Sequence, residues 1–552
     1  MVLVWLAILL FSSFISILLI RYYLDQRGEP KSIWGTRTSL YLLFMCSCVC
    51  LFIFPMDLKN AIHHEAVVSK GSIKGALFFV FWFQMIYTFV VVPMQQEMSR
   101  AGDFTVKGRF FTSLKINSIF YTVVILLAGF ALGIVSVKNG WSASYLVTFC
   151  VALSQGYGLL IEILTLGYGS IYLPRTLFRL SNVHKQKDYL EYESLQKHEN
   201  LEIAQNAMKL LCEESVDMFN KCSQFEEFRP KLEKIKNLML DQYSLPLRYK
   251  SLVKCSSVRR RQLCPITEKD LVKLHTKLIA ADSVLRKATV IWNILLKRYS
   301  KYNAIVNAED EETTGLLTES VIIEMPDWKL MVYKRIIPLF YKVIAVIWCV
   351  LVGFFIFCNC MFIFNVKPLR GLNQAFRYSA TFNTLFLTVI FITCSSAFFK
   401  LKILKLYHIV PHSTDPFSFL YTAAYVLRLV LPLSWNYALL CSDWRGDDEK
   451  TVFMTVIGTI DLAPLLGTGF MILLPVGILI VSFFTLTSKS KFWSDDDEAI
   501  NKDEMLMGRS LIQSCLIEHD IGDKYNDMFT QSVNEGVLVS PIRPISVRTP
   551  RK

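Results

Sequence analysis

A carboxylate stands inside one of the most apolar stretches of this chain. Glu162 lies in GYGLLIEILTLGYGSIYLPRTLFR, residues 156–179, which carries two Gly-Tyr-Gly repeats. A lone charge deep in a bilayer costs about 2.5–3.5 kcal/mol even on lenient insertion scales, so the residue calls for a partner. Arg428, in FSFLYTAAYVLRLVLPLSWNYALL, offers one. It stands twelve residues from Pro416, as Glu162 stands twelve from Pro174, and each distance is about 18 Å along a straight helix. The chemistry open to such a pair is electrostatic: it can fix helix register, or it can line a ligand or ion pathway. Tyr421, Tyr425, Arg428 and Pro432 share a stripe with Asn436 nearby, a polar face that belongs against protein. On the other helix, Gly158 and Gly169 lie about 40° and 20° from Glu162, so Gly156, Gly158, Gly167 and Gly169 are read as a close-packing face. The likeness of Gly-Tyr-Gly to a potassium filter is superficial, because a filter needs extended backbone and this run has helical character.

A second acid, Asp461, sits in TVFMTVIGTIDLAPLLGTGFMILLPVGILIVSFF. That run is too long for one untilted crossing. Asp461 followed by Pro464 resembles an N-cap and first-turn proline, and divides the run into a short re-entrant or interfacial helix at 452–460 and a full span from about 463. Capping is the main reading of this broken helix. The His63-His64 pair and His412 are read as solvated or interfacial. No HExxH, GxSxG, P-loop or Rossmann glycine pattern occurs, so the chain is read as no enzyme, with no catalytic residue and no cofactor. The fourteen cysteines form no CxxC pair, and no metal site is expected. Only Cys360 and Cys441 are placed where a disulfide is conceivable.

The elements that must position these groups follow from composition. Of 552 residues, 53% are hydrophobic and 19% charged; there are 40 Phe, and the mean hydropathy is +0.39. Apolar runs long enough to cross a hydrocarbon core of about 30 Å recur at both ends of the chain. They fall at about 2–20, 38–55, 75–94, 116–137, 142–173, 336–362, 377–399, 416–441 and 452–487, which predicts an all-α bundle of about nine spans. The net charge of +13 comes from basic residues beside the ends of these runs, so it reports topology and not nucleic acid. Lys and Arg crowd the loops after spans one, three, five and seven, which places the N-terminus outside and the C-terminus in the cytosol. The first apolar run has no basic leader or cleavage site and reads as a retained helix.

Between the two membrane parts the polarity rises but a period remains. Leu271, Leu274, Leu278, Ala281, Leu285, Ala288, Trp292 and Leu295 keep a/d order behind the capping pattern Thr267-x-x-Asp270, and Leu201, Ala204, Met208, Leu211, Ser215 and Met218 keep the same spacing. An antiparallel coiled-coil hairpin follows, with two amphipathic helices packed on the bundle as the alternative. The acidic AEDEETTGLLTES after it reads as a connector. Four regions result: 1–174 with spans one to five, 175–335 as a cytosolic coiled-coil region, 336–487 with spans six to nine, and 488–552 as a cytosolic tail, largely disordered and without apolar period.

Four separated phrases carry a resemblance: VVPMQQEMSRAGDFTVKGRFFTSLKIN, GYGLLIEILTLGYGSIYLPRTLFRLSN, HSTDPFSFLYTAAYVLRLVLPLSWNYALL and FMTVIGTIDLAPLLGTGFMILLPVGILI. Together, in this order, they resemble the limb-region-1-like family of multi-pass membrane proteins and its LMBR domain-containing branch. The resemblance covers roughly residues 1–185 and 330–515. It implies nine spans, an outside N-terminus and a coiled coil after the fifth span. It also implies a receptor or regulator: uptake of lipocalin-type carriers, export of cobalamin with a partner transporter, or modulation of G-protein-coupled-receptor and Wnt signalling. The expectation is a receptor or adaptor in signalling or trafficking, with protein partners on the coiled coil and the lipid bilayer around the spans, at the plasma membrane rather than an endosomal or lysosomal one. The alternative is a transporter, or an accessory to one, for cobalamin or a carrier-bound hydrophobic ligand. The two classes separate at Glu162 and Arg428, which a transporter would place on its route.

Overall fold

The computed structural model describes residues 2–25, 30–63, 70–139, 143–222, 226–240, 267–314, 328, 331–364, 366–400, 409–441, 451–457, 468–487 and 502–517. Among them there is no strand, and a single isolated parallel bridge joins Leu24 to Thr414. The architecture is that of an all-α, multi-pass helical membrane protein. Among the described residues, eight helices are long and apolar enough to cross a bilayer: Leu3–Tyr23, Trp34–Ala61, Lys70–Arg100, Val106–Phe130, Gly156–Leu180, Val332–Ile363, Ala380–Phe398 and Pro416–Cys441. The ninth expected span appears as a shorter apolar helix, Leu473–Thr487. Asp461 and Pro464, the expected cap of the last run, lie outside the described residues; on either side of them are the short helix Val452–Ile457 and the helix Thr468–Thr487.

In chain order the helices are α1 (Val2–Tyr23), α2 (Pro30–His63), α3 (Lys70–Ile86), a π-helical turn (Tyr87–Val91), α4 (Val92–Arg100), α5 (Val106–Asn139), α6 (Ala143–Leu180), α7 (Val183–Cys222) and α8 (Arg229–Leu240). They continue with α9 (Glu268–Thr314), α10 (Ile337–Ile363), α11 (Pro368–Ala375), α12 (Ala380–Lys400), α13 (Pro416–Cys441), α14 (Val452–Ile457), α15 (Thr468–Thr487) and α16 (502–517). Prolines occur inside α2, α6, α13 and α15, where neighbouring helices and Ser or Thr side chains can satisfy the backbone groups a proline frees.

The chain forms two compact units. The first comprises Met1–Asn182, Leu201–Ile291 and Pro326–Asp496. At its centre runs α13, buried along nearly its whole length, against α2, α4, α6 and α12. Helix α5 lies at the periphery and turns Ile125, Leu126 and Leu127 outward at 66–68% exposure, a surface suited to lipid and not to water. Cys360 and Cys441 are both free thiols, so the conceivable disulfide is not formed; Cys441 instead accepts a hydrogen bond from Asn373 Nδ2 at 3.1 Å.

The first unit also contains the start of the predicted hairpin, and there the periodic positions point inward. Leu271, Leu274, Leu278 and Leu285 of α9 are buried, as are Leu201, Ala204, Met208 and Ser215 of α7, and Lys277 reaches Glu214 at 3.4 Å. At the start of α9, Asp270 Oδ2 accepts from Thr267 N–H (3.0 Å) and Thr267 Oγ1 (2.7 Å). These bonds form the expected cap and hold the Asp270 carboxyl below its usual range.

The second unit comprises Val183–Asn200, Trp292–Met325 and Asp497–Lys552. The His198 ring meets Trp292 edge-on at 5.1 Å and the Tyr299 hydroxyl donates to Glu191 Oε1 at 3.2 Å, a pairing that runs antiparallel. Against this pair packs α16, an element absent from the sequence expectation. The polar composition of 488–552 predicts a largely disordered tail, and the helix stands within it. Gly508 and Ile512 of α16 are buried and Met505, Leu511, Cys515 and Leu516 half-buried, an inner face of little more than three turns set in a polar sequence.

Candidate functional site

The functional candidates of the first unit sit where α6, α13 and the π turn converge. Helix α6 owes its position to its glycines. A Cβ on Gly158 would fall inside the van der Waals surface of the Pro432 ring on α13. One on Gly169 would stand 2.5 Å from Thr393 O and 3.1 Å from Ala397 Cβ on α12, and one on Gly167 would stand 2.7 Å from Val481 Cβ on α15. Three helices thus approach α6 at backbone distance, each at a different glycine, as expected of small residues where hydrophobicity alone cannot drive association. Gly156 on the same helix is buried.

The geometry of Glu162 and Arg428 follows from this contact. Gly158 faces Pro432 and Thr165 lies beside Tyr425, so the two helices run antiparallel with the backbones of Glu162 and Arg428 at the same level between these contacts. Their side chains nevertheless keep separate partners. Helical side chains lean toward the N-terminus of their own helix. In an antiparallel pair, Glu162 therefore leans away from the end toward which Arg428 leans. Glu162 is fully buried and its Oε1 accepts from Asn436 Nδ2 at 2.7 Å, two turns further along α13. Asn436 leans back over Pro432 while Glu162 leans over Gly158, and the two meet above that contact. The expected ion pair is thus replaced by a hydrogen bond between a carboxylate and an amide.

Arg428 is received by the π turn. Its Nε donates to Thr88 Oγ1 at 2.9 Å and its Nη2 to Thr88 O at 2.7 Å, and the guanidinium lies 4.1 Å from the centroid of Phe89. A π turn widens the helical ladder and makes a carbonyl available to an outside donor. The hydroxyl of Tyr121 on α5 also donates into this turn, to Phe89 O. Arg428 thus ties α13 to the helix α3–α4 through neutral groups and one aromatic face.

Two further junctions were not foreseen. Asp57, buried in α2, accepts from the backbone N–H groups of Val452 (3.2 Å) and Phe453 (2.7 Å), and so caps α14 from another helix. An ionisable group inside the span FPMDLKN was the available signal. The other junction couples α9 to the ends of the bundle helices. Gly102 N–H donates to Thr276 Oγ1 at 3.0 Å, His275 Nδ1 bonds Gly102 O at 2.6 Å, and the His275 ring stacks on Phe104 at 4.8 Å. Further along, Arg286 bridges to Asp25 at 3.4 Å while Lys287 pairs with Asp415 and reaches Ser418 Oγ at 3.3 Å. Asp25 and Thr414 are themselves joined, N–H to carbonyl, at 3.1 Å. Among the described residues no group of His, Cys, Asp and Glu is arranged to hold a metal.

These separate partners make a prediction. Reversing Glu162 and Arg428 together should recover no folded protein beyond the worse single reversal, measured as the monodisperse fraction on gel filtration in detergent. Recovery to the wild-type level would restore the direct pair.

The comparisons with known proteins point one way. The family model described as LMBR1-like membrane protein matches residues 1–490. The chain is 24% identical over 599 residues to the human protein named G-protein coupled receptor-associated protein LMBRD2, covering 92% of this chain and 82% of that protein. Its Gallus gallus counterpart is 23% identical over 544 residues, covering 87% and 77%. LMBR1 domain-containing protein 2 homolog A of Dictyostelium discoideum is 25% identical over 446 residues, covering 76% and 58%. No solved structure matches. With a family match running from the first residue through α15, the chain belongs to the LMBR1-like membrane proteins.

Proposed function

We propose that this chain is a receptor-associated adaptor of the plasma membrane that regulates signalling by a G-protein-coupled receptor, with its N-terminus outside and the α7–α9 hairpin and tail in the cytosol. The observation that carries this reading is the match along most of the chain to relatives whose printed names say they associate with such receptors. The junction at Gly102, His275 and Thr276 supports it physically, because it ties a polar helix to the ends of membrane helices and gives a rearrangement among the spans a route to a cytosolic partner. The role is recruitment and not catalysis. A transporter reading has no support in the names of these relatives.

The test is affinity purification of the intact protein from its own membrane, against an unrelated multi-pass protein as control. Recovery of a G-protein-coupled receptor above the control is expected. Absence of any receptor in replicate purifications of properly folded protein would remove the proposal.

A further inference from the structure

The central helix α13 is closed to its surroundings except along one line. From Phe417 to Cys441 every residue is buried apart from Tyr421, Arg428 and Trp435, which are half-buried. Positions seven apart on a helix drift by only about 20°, so these three form one stripe, and it faces a crevice. One wall is the π turn, where the Phe89 ring lies 4.1 Å from the Arg428 guanidinium and Tyr121 of α5 donates to Phe89 O. The other is α6, whose Tyr157 hydroxyl comes within hydrogen-bonding reach of Arg428. Phe89 and Tyr157 are themselves exposed, so the crevice opens on the outer surface of the spans.

This crevice holds a cation without an anion. The Nε and Nη2 edge of the guanidinium is taken by Thr88, which leaves the Nη1 and Nη2 edge, one that a carboxylate can bind with both oxygens. Among the described residues no carboxylate is paired with Arg428; the groups around it are hydroxyls and rings. A charge at this depth is costly without a counter-charge, so an anion belongs here. The opening limits its shape. Ala424, Tyr425, Leu431 and Pro432, the neighbours of Arg428 on the helix surface, are all buried, so the gap is about one side chain wide. A helix, about 10–12 Å across, cannot enter, whereas a single hydrocarbon chain can. Arg428 also stands twelve residues from Pro416, about 18 Å along the helix. That is too deep for a phosphate that keeps its charge, but a carboxylic acid can cross hydrocarbon in its neutral form. Tyr421, Trp435 and Phe89 line the crevice with rings that suit an apolar tail.

We propose that the crevice over Tyr421, Arg428 and Trp435 binds a single-chain carboxylate amphiphile of the fatty-acid class, its head on the free edge of Arg428 and its tail along the aromatic stripe. The proposal goes beyond receptor association and does not depend on it, since it concerns only contacts among the spans of the first unit.

The experiment uses the full-length protein in dodecyl maltoside, with palmitate carrying a mid-chain diazirine as the probe. After irradiation, label is expected on peptides that contain residues 87–91, 121, 157 or 421–435. Excess oleate should lower it at least tenfold, and oleyl alcohol, which has the same tail and no charge, should not. Arg428→Gln should lose at least tenfold of the labelling, but it also gives up the bonds to Thr88. Tyr157→Glu avoids that loss, because it places a carboxylate beside the guanidinium and leaves Thr88 in contact. That variant should melt no lower than the wild type, take up label at least tenfold less, and gain no thermal stability from oleate. Tyr157→Gln, neutral and of the same length as glutamate, should keep labelling within threefold of the wild type. Three results would overturn the proposal: equal competition by oleate and oleyl alcohol, undiminished labelling of Tyr157→Glu, or displacement by lysophosphatidate but not by oleate.

Discussion

Leucine at Gly158 should leave almost no monodisperse protein, whereas leucine at Gly129 should leave the yield unchanged. The contrast isolates the approach of α6 and α13. At Gly158 an added side chain meets the Pro432 ring, which has no rotamer into which to retreat, so the two helices must separate. Overpacking a well-filled contact costs about 1–3 kcal/mol when the neighbours can adjust. Here the same displacement also draws Glu162 away from Asn436, leaving a buried carboxylate with no donor on Oε1, and a charged group so stranded costs at least a further ~1–3 kcal/mol. Marginal stabilities of about 5–15 kcal/mol leave little margin for the sum. Gly129 meets nothing within 4 Å, on a helix whose outer face is apolar. Thermal unfolding in detergent followed by gel filtration would decide the matter, and equal melting temperatures for the two variants would refute the glycine contact as a structural requirement.

Valine at Gly102 should have the second largest effect, and a different one: the spans should stay assembled while the start of α9 comes loose. A Cβ at Gly102 would stand 2.5 Å from both Thr276 N and Val272 O, backbone atoms of a rigid helix that cannot give way. Relief requires α9 to lift, which breaks the Gly102–Thr276 and His275–Gly102 hydrogen bonds and the Phe104–His275 stack. At about 0.5–1.5 kcal/mol for each hydrogen bond and a similar amount for a ring stack, about 2–4 kcal/mol of local stability is lost. The bonds of Arg286 and Lys287 to Asp25 and Asp415 lie several turns away and should hold the rest of the helix. At about 1.4 kcal/mol per factor of ten, hydrogen exchange should therefore accelerate by roughly 1.5 to 3 orders of magnitude at residues 268–280 and little at 416–441. Uniform acceleration across both segments would show that the junction supports the whole unit. If the junction relays a rearrangement of the spans to a cytosolic partner, the same variant should still purify with a receptor but recover fewer soluble partners.

The contrast between these sites explains which features were legible in the amino-acid order. Spans were legible because crossing a bilayer needs many consecutive apolar residues, a condition local in the chain. The α7 and α9 seams were legible for the same reason: Leu271, Leu274 and Leu278 announce a buried face by spacing alone. That the backbones of Glu162 and Arg428 stand at one level follows from the constant rise of a helix. What failed was direction. Side-chain lean along each helix decides between Arg428 and Asn436 as the partner, and depth counting ignores it. The cap from Asp57 to Val452 spans 395 residues, and the pair of Arg509 and Glu191 spans 318. Asp57 in its apolar surroundings signals that a partner is needed, but nothing local names the partner of either residue. Helix α16 was hard to see because its inner face, Met505, Gly508, Ile512, Cys515 and Leu516, is short and mixes a glycine and a thiol with the aliphatic residues.

The cap provided by Asp57 has a consequence for biogenesis. During synthesis at about 5–20 residues per second, a separation of 395 residues means that roughly 20–80 s pass before the amides of Val452 and Phe453 exist to receive this carboxylate. Through that interval the nascent second helix carries an acid in an apolar setting with its final donors still unmade. The early chain must therefore be sheltered at the site of insertion until nearly all of the membrane region has emerged, and truncation anywhere before residue 452 should send the product to degradation rather than to its membrane.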